Sequence, residues 1–251
     1  MKELEGRTAL ITGASKGIGA AIADSLAAAG ARVGVNYSSD RAGAQAVVDR
    51  IHSSGGVATT VGGSVSDETA MQRMFDQLRD AYGPVDILIN NAGIWHFQPI
   101  TDVTIDEYHR HYDTNVLGTV LASRTFAQQT DVTGGAIVTI SSSGALGPTG
   151  PGISLYAGTK AAVATMTRVL ANELAPRGIR ANTVAAGLID TEGTRASGFV
   201  GSQAYNDLVA TIPLGRAGRP EDIASVATFL AGPGAAYLTG ETIYVDGGIA
   251  A

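Results

Sequence analysis

Tyr156 and Lys160 stand four residues apart in the sequence YAGTK, near the start of a predicted helix. Residues at this spacing lie on the same face of a helix. A free phenol has a pKa near ~10 and is a poor acid or base at neutral pH, but a neighbouring cation lowers that pKa. The pair could therefore give a proton to a ketone oxygen as hydride arrives, or remove one in reverse. The same spacing also occurs on ordinary surface helices, so the pattern needs support from the rest of the chain.

A second stretch suited to chemistry is TGASKGIG, residues 12–19, which follows the apolar run TALIT and precedes a helical pattern. Gly-x-Ser-x-Gly within it is the pattern of a hydrolase nucleophile elbow, with Ser15 as the nucleophile. The whole stretch instead predicts a glycine corner on which a dinucleotide phosphate meets a helix N-terminus. A hydrolase elbow would need strands before it and a histidine after it. The histidines occur too early or on unsuitable helices, so we interpret Ser15 as a cofactor contact; they are His52, His96, His109 and His111.

The composition narrows the class of protein. The 251 residues carry a net charge of −6, 45% hydrophobic residues and no cysteine. Disulfides, thiolate metal sites and cysteine nucleophiles are thereby excluded. No Lys/Arg block suggests a nucleic-acid partner, and no long apolar run suggests a membrane span or signal peptide. We expect a cytoplasmic protein without a metal site.

Short β-branched runs alternate with longer helical patterns along the whole chain, which predicts an α/β fold of the Rossmann type. We expect one domain, residues 1–251, with a doubly wound parallel sheet of seven strands and helices on both faces. The strands are predicted at 8–12, 32–37, 57–62, 86–91, 136–141, 179–185 and 242–246, and the helices at 17–29, 41–54, 67–82, 104–128, 156–176 and 220–231. The irregular stretch 187–219 is predicted to be an active-site lid.

In such sheets, ligands bind beyond the carboxyl ends of the strands. The motifs TGASKGIG, NNAG (90–93), SSSGALG (141–147) and AAGLIDT (185–191) all stand at predicted strand ends. Together with Asn115, YAGTK and the closing VDGG (245–248), they occur in the order typical of short-chain dehydrogenases/reductases. The chain resembles this family over essentially its whole length, most closely the 3-oxoacyl-[acyl-carrier-protein] reductases.

The resemblance implies four catalytic residues. Tyr156 is the proton donor and acceptor, Lys160 tunes it and binds the nicotinamide ribose, and Asn115 supports a water-linked proton relay. A serine holds the substrate carbonyl. Strand register assigns that role to Ser142, whereas the usual loop length before Tyr156 would give Ser143; we choose Ser142 because register is the stiffer constraint.

Strand two ends without the acidic residue that usually binds the ribose 2′-hydroxyl of NAD. Lys16 and the serines that follow strand two suit a 2′-phosphate instead, so we favour NADP, with NAD possible. Asp40 and Arg41 also fit a helix start. The implied cofactor contacts, besides Tyr156 and Lys160, are Gly13, Ser15, Lys16, Gly17, Ile18, Gly19, Asn36, Tyr37, Ser38, Ser39, Ser64, Val65, Asn90, Asn91, Ala92, Gly93, Gly187, Ile189 and Thr191.

Trp95, His96 and Phe97 follow NNAG directly and, with Ser143, are candidates for the substrate pocket. The leading functional hypothesis is NADPH-dependent reduction of a 3-oxo group or other ketone to a secondary alcohol. The alternatives are a sugar or polyol dehydrogenase of the same family, a nucleotide-binding regulator with little turnover, and a serine hydrolase. The resemblance implies a small-molecule substrate and a homotetramer, with no membrane or nucleic-acid partner.

Overall fold

The computed structural model describes residues 2–147 and 150–250. Seven strands form one parallel sheet in the order β3-β2-β1-β4-β5-β6-β7. The predicted seven-stranded parallel sheet is therefore confirmed. The strands are β1 (Thr8–Ile11), β2 (Arg32–Tyr37), β3 (Val57–Gly62), β4 (Ile87–Asn90), β5 (Gly135–Ser142), β6 (Ile179–Ala186) and β7 (Thr242–Val245).

Helices cover both faces of the sheet, because each strand-to-strand connection must cross back to keep the strands parallel. Several begin at a side-chain cap: Asp40 accepts from the Gly43 N–H, and Asp67 accepts from the Ala70 N–H. The helices are α1 (Gly17–Ala28), α2 (Arg41–Ser53), α3 (Glu68–Tyr82), α4 (Ile105–Tyr112), α5 (Gly118–Gln128), α6 (Ser154–Leu174), α7 (Glu192–Ala196), α8 (Gln203–Thr211) and α9 (Pro220–Ala231).

Two hydrophobic clusters lie on opposite faces of the sheet. Successive side chains of a strand point to opposite faces, so Ile11 joins the cluster formed with α1, α2 and α9, whereas Leu10 joins the cluster formed with α3, α5 and α6. Ile87 and Leu88 divide in the same way. Burial on both faces explains why the strands read as continuous apolar runs.

Two helical predictions need correction. The stretch 104–128, predicted as one helix, is divided into α4 and α5 by a π-helical turn at Asp113–Leu117. The stretch 187–219, predicted to be irregular, contains the short helices α7 and α8. Both begin at hydroxyl caps, Thr191 and Ser202, which a reading based on apolar periodicity does not detect.

The strand order reverses between β1 and β4, and this is where a doubly wound sheet binds its ligands. The glycine corner follows β1, and NNAG begins at the last residue of β4, so both lie at this switch point. Among the described residues, no helix is both long and apolar enough to cross a bilayer. The same residues include no cluster of three or more acidic or histidine side chains suited to a metal ion.

Candidate active site

The end of β5 and the start of α6 bring Ser142, Tyr156 and Lys160 together. The Ser142 hydroxyl lies close enough to the Tyr156 phenol to act on its pKa, which it lowers. The Lys160 Nζ donates to the main-chain oxygen of Ile140 at 2.8 Å and lies 5.9 Å from the centre of the Tyr156 ring. A β-carbon on Gly93 would lie 3.2 Å from the Lys160 Nζ, so a side chain at this position would crowd the ammonium group.

Three adjacent serines at this strand end have different environments. Ser141 is buried, and its hydroxyl donates to the Lys160 main-chain oxygen at 2.8 Å, which ties α6 to β5. Ser143 is buried in the turn after the strand, where its main-chain oxygen accepts from the N–H groups of Leu146 and Gly147. Ser142 lies between them, half-buried, and lies near the phenol. Of the three, Ser142 is therefore the candidate that could bind a carbonyl oxygen together with Tyr156.

Burial dominates the protonation of both titratable groups. It raises the pKa of Tyr156 above its ordinary value of 10, and the Ser142 hydroxyl offsets only part of this rise. Burial also lowers the pKa of Lys160 from 10.5 to about 8. The protein's own side chains therefore do not lower the pKa of the phenol as the sequence predicted. The free energy cost of desolvating the phenolate exceeds the free energy gained from its interaction with Ser142. Tyr156 holds its proton at neutral pH, as a proton donor must.

Asn115 lies in the π-helical turn and is almost fully buried. Its Oδ1 accepts from the Ile94 N–H at 2.8 Å, and its Nδ2 donates to the Ile94 oxygen at 3.0 Å and to Thr159 Oγ1 at 2.9 Å. The side chain therefore fixes the loop after β4 against α6. Thr159, which the sequence analysis did not single out, completes the link by donating to the Tyr156 main-chain oxygen at 2.7 Å.

The glycine corner after β1 is a tightly packed cradle. Gly13 has a φ of +62°, a conformation that favours glycine, and a β-carbon there would lie 2.8 Å from the Ala92 Cα. A β-carbon on Gly19 would lie 2.5 Å from the Asn91 Nδ2. Ser15, Lys16 and Ile18 stand on the same corner, with Lys16 exposed.

Three buried or half-buried polar side chains hold this corner. Asn36 Oδ1 accepts from the Gly13 N–H at 3.0 Å, while its Nδ2 donates to the Val61 and Gly63 oxygens at 3.1 Å. Asn91 Nδ2 donates to the Thr12 and Gly13 oxygens at 2.9 Å. Thr12 Oγ1 accepts from the N–H groups of residues 91 and 92 at 3.0 Å. Asn36 and Asn91, predicted as cofactor contacts, use these side-chain atoms to shape the corner.

The end of β2 remains exposed to solvent. Ser38 and Ser39 are exposed, as is Arg41 at the first position of α2. The Asp40 carboxylate is engaged as the cap of α2, accepting from the Gly43 N–H at 3.0 Å. Tyr37 packs over Gly62, because a β-carbon placed on Gly62 would lie 2.9 Å from the Tyr37 hydroxyl. The free polar groups at this end are therefore neutral or cationic.

The remaining predicted cofactor residues also lie around the switch point. Asn90 is buried and donates to Ser123 Oγ at 3.1 Å, and no described group bonds its Oδ1. The Ser64 and Ser66 hydroxyls form a hydrogen bond, and the Val65 side chain packs against Gly118.

The beginning of the stretch 187–219, predicted to be a lid, approaches the sheet and the glycine corner. A β-carbon on Gly187 would lie 2.5 Å from Asp246, and Ile189 is buried beside Gly218. Thr191 lies 3.6 Å from a β-carbon placed on Gly17. Glu192, which the sequence analysis missed, accepts from the Gly17 N–H at 2.9 Å.

The loop after NNAG carries two aromatic side chains that contact each other. The rings of Trp95 and Phe97 are 5.1 Å apart, and Phe97 is 47% exposed. His96 Nδ1 lies 3.6 Å from the Glu107 carboxylate, on the side of α4. The Gln98 N–H donates to the Gly152 oxygen at 2.9 Å, which joins this loop to the segment before α6.

The histidines that a Ser15 hydrolase would require have other partners. His52 Nε2 pairs with the Ala58 oxygen, and His111 Nδ1 pairs with the Glu107 oxygen. His109 is exposed on α4 and packs edge-on against Tyr108. Since these contacts are all with residues other than Ser15, the geometry gives no support to a nucleophilic Ser15.

The corner fits a dinucleotide. Its glycines let the turn after β1 pack closely against the loop after β4, and the start of α1 offers N–H groups to an anion. The buried Oδ1 of Asn90 is a further hydrogen-bond acceptor, and no described residue donates to it.

The chain matches known proteins over nearly its full length. The family model described as enoyl-(acyl carrier protein) reductase matches residues 13–250. An uncharacterized oxidoreductase of Methylorubrum extorquens is 46% identical, with 99% of this chain and 100% of that protein covered. A 3-oxoacyl-[acyl-carrier-protein] reductase of Synechocystis is 36% identical, with 99% of each chain covered.

A solved structure shows the same architecture. The crystal structure of a short-chain dehydrogenase from Burkholderia cenocepacia in complex with NADP superposes with a TM-score of 0.92, at 34% identity, covering 99% of this chain and 100% of that one. Sequence similarity and overall fold agree, and the chain belongs to the short-chain dehydrogenase/reductase family of NAD(P)-dependent oxidoreductases.

Proposed function

We propose that the protein reduces a ketone to a secondary alcohol with NADPH, in the manner of a 3-oxoacyl reductase. The observation that carries this proposal is a buried Lys160 whose Nζ lies 5.9 Å from the centre of the Tyr156 ring, with the Ser142 hydroxyl near enough to lower the pKa of that phenol. Two hydroxyls placed in this way can both reach one carbonyl oxygen. A reduction requires such a pair, because negative charge develops on that oxygen.

Each side chain has a distinct part in the reaction. Ser142 donates a hydrogen bond to the carbonyl oxygen and polarises it. Tyr156 gives its proton to that oxygen, and the raised pKa of the phenol keeps the proton available at neutral pH. Lys160, whose pKa is about 8, is largely protonated at pH 7 and stabilises the phenolate left behind. When bound, the reduced nicotinamide supplies the hydride that completes the alcohol.

NADPH as the preferred cofactor rests on the exposed end of β2. Lys16 is an exposed cation on the glycine corner, and Ser38 and Ser39 are exposed hydroxyl donors that follow β2. The Ala14 N–H donates to the Asn36 oxygen at 2.7 Å, which holds the corner against β2. Asp40, the acid nearest in sequence, already caps α2. A 2′-phosphate would thus meet cations and donors, and a 2′-hydroxyl would lack its usual carboxylate.

The mouth of the site favours an apolar ketone over a sugar. Trp95 and Phe97 form an aromatic pair on the loop that begins at Gly93, where a β-carbon would lie 3.2 Å from the Lys160 Nζ. Ile100 and Ile105, farther along this segment, are 68% and 72% exposed. Apolar side chains gathered beside a binding site are suited to hydrophobic contact with a substrate.

A panel of carbonyl compounds tests the activity. The reduced nicotinamide's absorbance would be followed with β-keto esters, bicyclic ketones, aldoses and an enoyl thioester, each with NADPH and with NADH. We expect turnover of keto esters or bicyclic ketones, and none when Tyr156 is replaced by phenylalanine. Turnover of aldoses alone would favour a sugar dehydrogenase, and turnover of the enoyl thioester alone would favour an enoyl reductase. Cofactor binding without any turnover would favour a regulator, and esterase activity lost in Ser15→Ala would favour a hydrolase.

We further propose a homotetramer. Leu117, Val120 and Val169 are at least 36% exposed on or beside α5 and α6, and Phe229 and Tyr244 are about as exposed at the α9 and β7 edge. Two separate apolar surfaces allow two kinds of subunit contact, as a tetramer with dihedral symmetry requires. Light scattering coupled to gel filtration would measure the mass, and a monomer would contradict the proposal.

A further inference from the structure

Glu192 reaches from the lid to the start of α1. Its Oε2 accepts from the Gly17 N–H at 2.9 Å, although 175 positions separate the two residues in the chain. Gly17 is the first residue of α1 and part of the glycine corner. The contact therefore joins the lid to the backbone group on which a dinucleotide site depends.

The start of α1 has no cap of its own. Lys16 stands at the capping position without a side-chain hydrogen bond, and the first turn contains no acidic residue. By contrast, Asp40 and Asp67 cap α2 and α3. The first N–H groups of a helix carry partial positive charge and attract anions. The carboxylate that meets the Gly17 N–H comes from another element, so it is not a fixed cap of this helix and an external anion can compete with it.

The segment that carries Glu192 is held at its own helix start. Thr191 Oγ1 accepts from the Thr194 N–H at 3.2 Å, and Thr194 Oγ1 accepts from the Thr191 N–H at 2.9 Å. The Thr191 side chain also packs against Gly17, since a β-carbon placed on Gly17 would lie 3.6 Å from it. The carboxylate is thus presented by an ordered turn, which lowers the entropy cost of the contact.

We propose that Glu192 competes with the cofactor pyrophosphate for the start of α1 and so sets cofactor affinity. Two anions at one helix start repel each other. In addition, the single Gly17 N–H can donate a strong hydrogen bond to only one of them. Binding the pyrophosphate displaces the carboxylate and frees the beginning of the lid from the corner. The proposal rests on the dinucleotide site but not on the identity of the substrate.

The test measures the Kd of the cofactor in the absence of substrate. Titrations of the cofactor-free protein with NADPH and with NADH, followed by nicotinamide fluorescence, would compare the wild type with Glu192→Gln. This variant keeps the size of the side chain and removes its charge. Since a carboxylate at an exposed helix start has a modest effect, we expect both Kd values to fall about two- to fivefold.

Two controls locate the effect. Glu221→Gln removes an exposed acid from the first turn of α9 and should leave both Kd values unchanged. Adenosine 2′-phosphate, which has no pyrophosphate, should bind the wild type and Glu192→Gln equally when it competes with NADPH.

Unchanged or weaker NADPH binding in Glu192→Gln would overturn the proposal, and so would an equal gain in Glu221→Gln. If neither dinucleotide binds, the inference and the proposed cofactor are both wrong. If both bind as expected but no ketone is reduced, only the proposed activity fails.

Discussion

The proposed catalytic groups and the end of β2, which we propose selects the cofactor, are built differently. Lys160 and Asn115 are 6% and 2% exposed, and main-chain atoms of neighbouring elements hold both side chains. Lys16, Ser38 and Ser39 are exposed and stand on turns. Buried side chains in fixed hydrogen bonds preserve a geometry, whereas exposed ones set a preference that a single substitution can change. Substitutions in the first region should therefore have larger effects than those in the second.

Tyr156→Phe should have the largest effect on activity. The change removes the transferable proton and keeps the ring, so turnover of a ketone should fall by about 10²–10⁴-fold. The Kd of NADPH, measured by fluorescence titration without substrate, should stay close to that of the wild type. A variant with near-normal turnover would show that another group donates the proton.

Ser142→Ala should reduce kcat by about 10²–10³-fold, as expected for the loss of a hydrogen bond to a developing oxyanion. Ser143→Ala is the matched control, because Ser143 contributes main-chain contacts to the adjacent turn and its hydroxyl is not needed for them. The reverse ranking of the two variants would mean that loop length, and not strand register, identifies the family serine.

Asn36→Asp tests the buried support of the glycine corner. The aspartate could still accept from the Gly13 N–H, but it would lose two donors and place a charge against the Val61 and Gly63 oxygens. We expect the free energy of unfolding in urea to fall by roughly 2–4 kcal/mol. Ser38→Asp, on the exposed end of the same strand, should leave stability within about 0.5 kcal/mol and shift preference toward NADH. Equal stability losses would remove the distinction between the two regions.

The pKa of Lys160 predicts how the proposed reductase activity depends on pH. Burial lowers its pKa to about 8, so the ammonium is present below pH 8 and is lost as pH rises through that value. The pKa of Tyr156 is raised above 10, so the phenol does not titrate in this range. With NADPH saturating, kcat/KM for the ketone should be level below about pH 7 and fall above pH 8. A level profile to pH 9.5 would show that the charge on Lys160 is not required.

The sequence predicted the parts of the molecule that depend on local pattern. Apolar runs located all seven strands to within about two residues, and ordered motifs located the residues of the switch point. Contacts between distant segments could not be found in this way. The contact of Glu192 with Gly17 and the link from Asn115 to Thr159 join elements far apart in the chain. The π-helical turn arises where the main chain carries Asn115 into the site, and apolar periodicity does not report it.

Lys16→Ala should have the smallest effect and act on cofactor choice alone. Lys16 is exposed, so its contact with a 2′-phosphate is screened by solvent and salt. We expect the KM for NADPH to rise about three- to tenfold while the KM for NADH stays almost unchanged, because NADH lacks the phosphate. Lys2→Ala is the control, since Lys2 is an exposed lysine that precedes β1, at the opposite end of the strand. Raising the salt concentration should narrow the gap between Lys16→Ala and the wild type for NADPH but not for NADH. A wild type that prefers NADH would show that Asp40 and Arg41 only begin α2, and that the end of β2 does not select the phosphate.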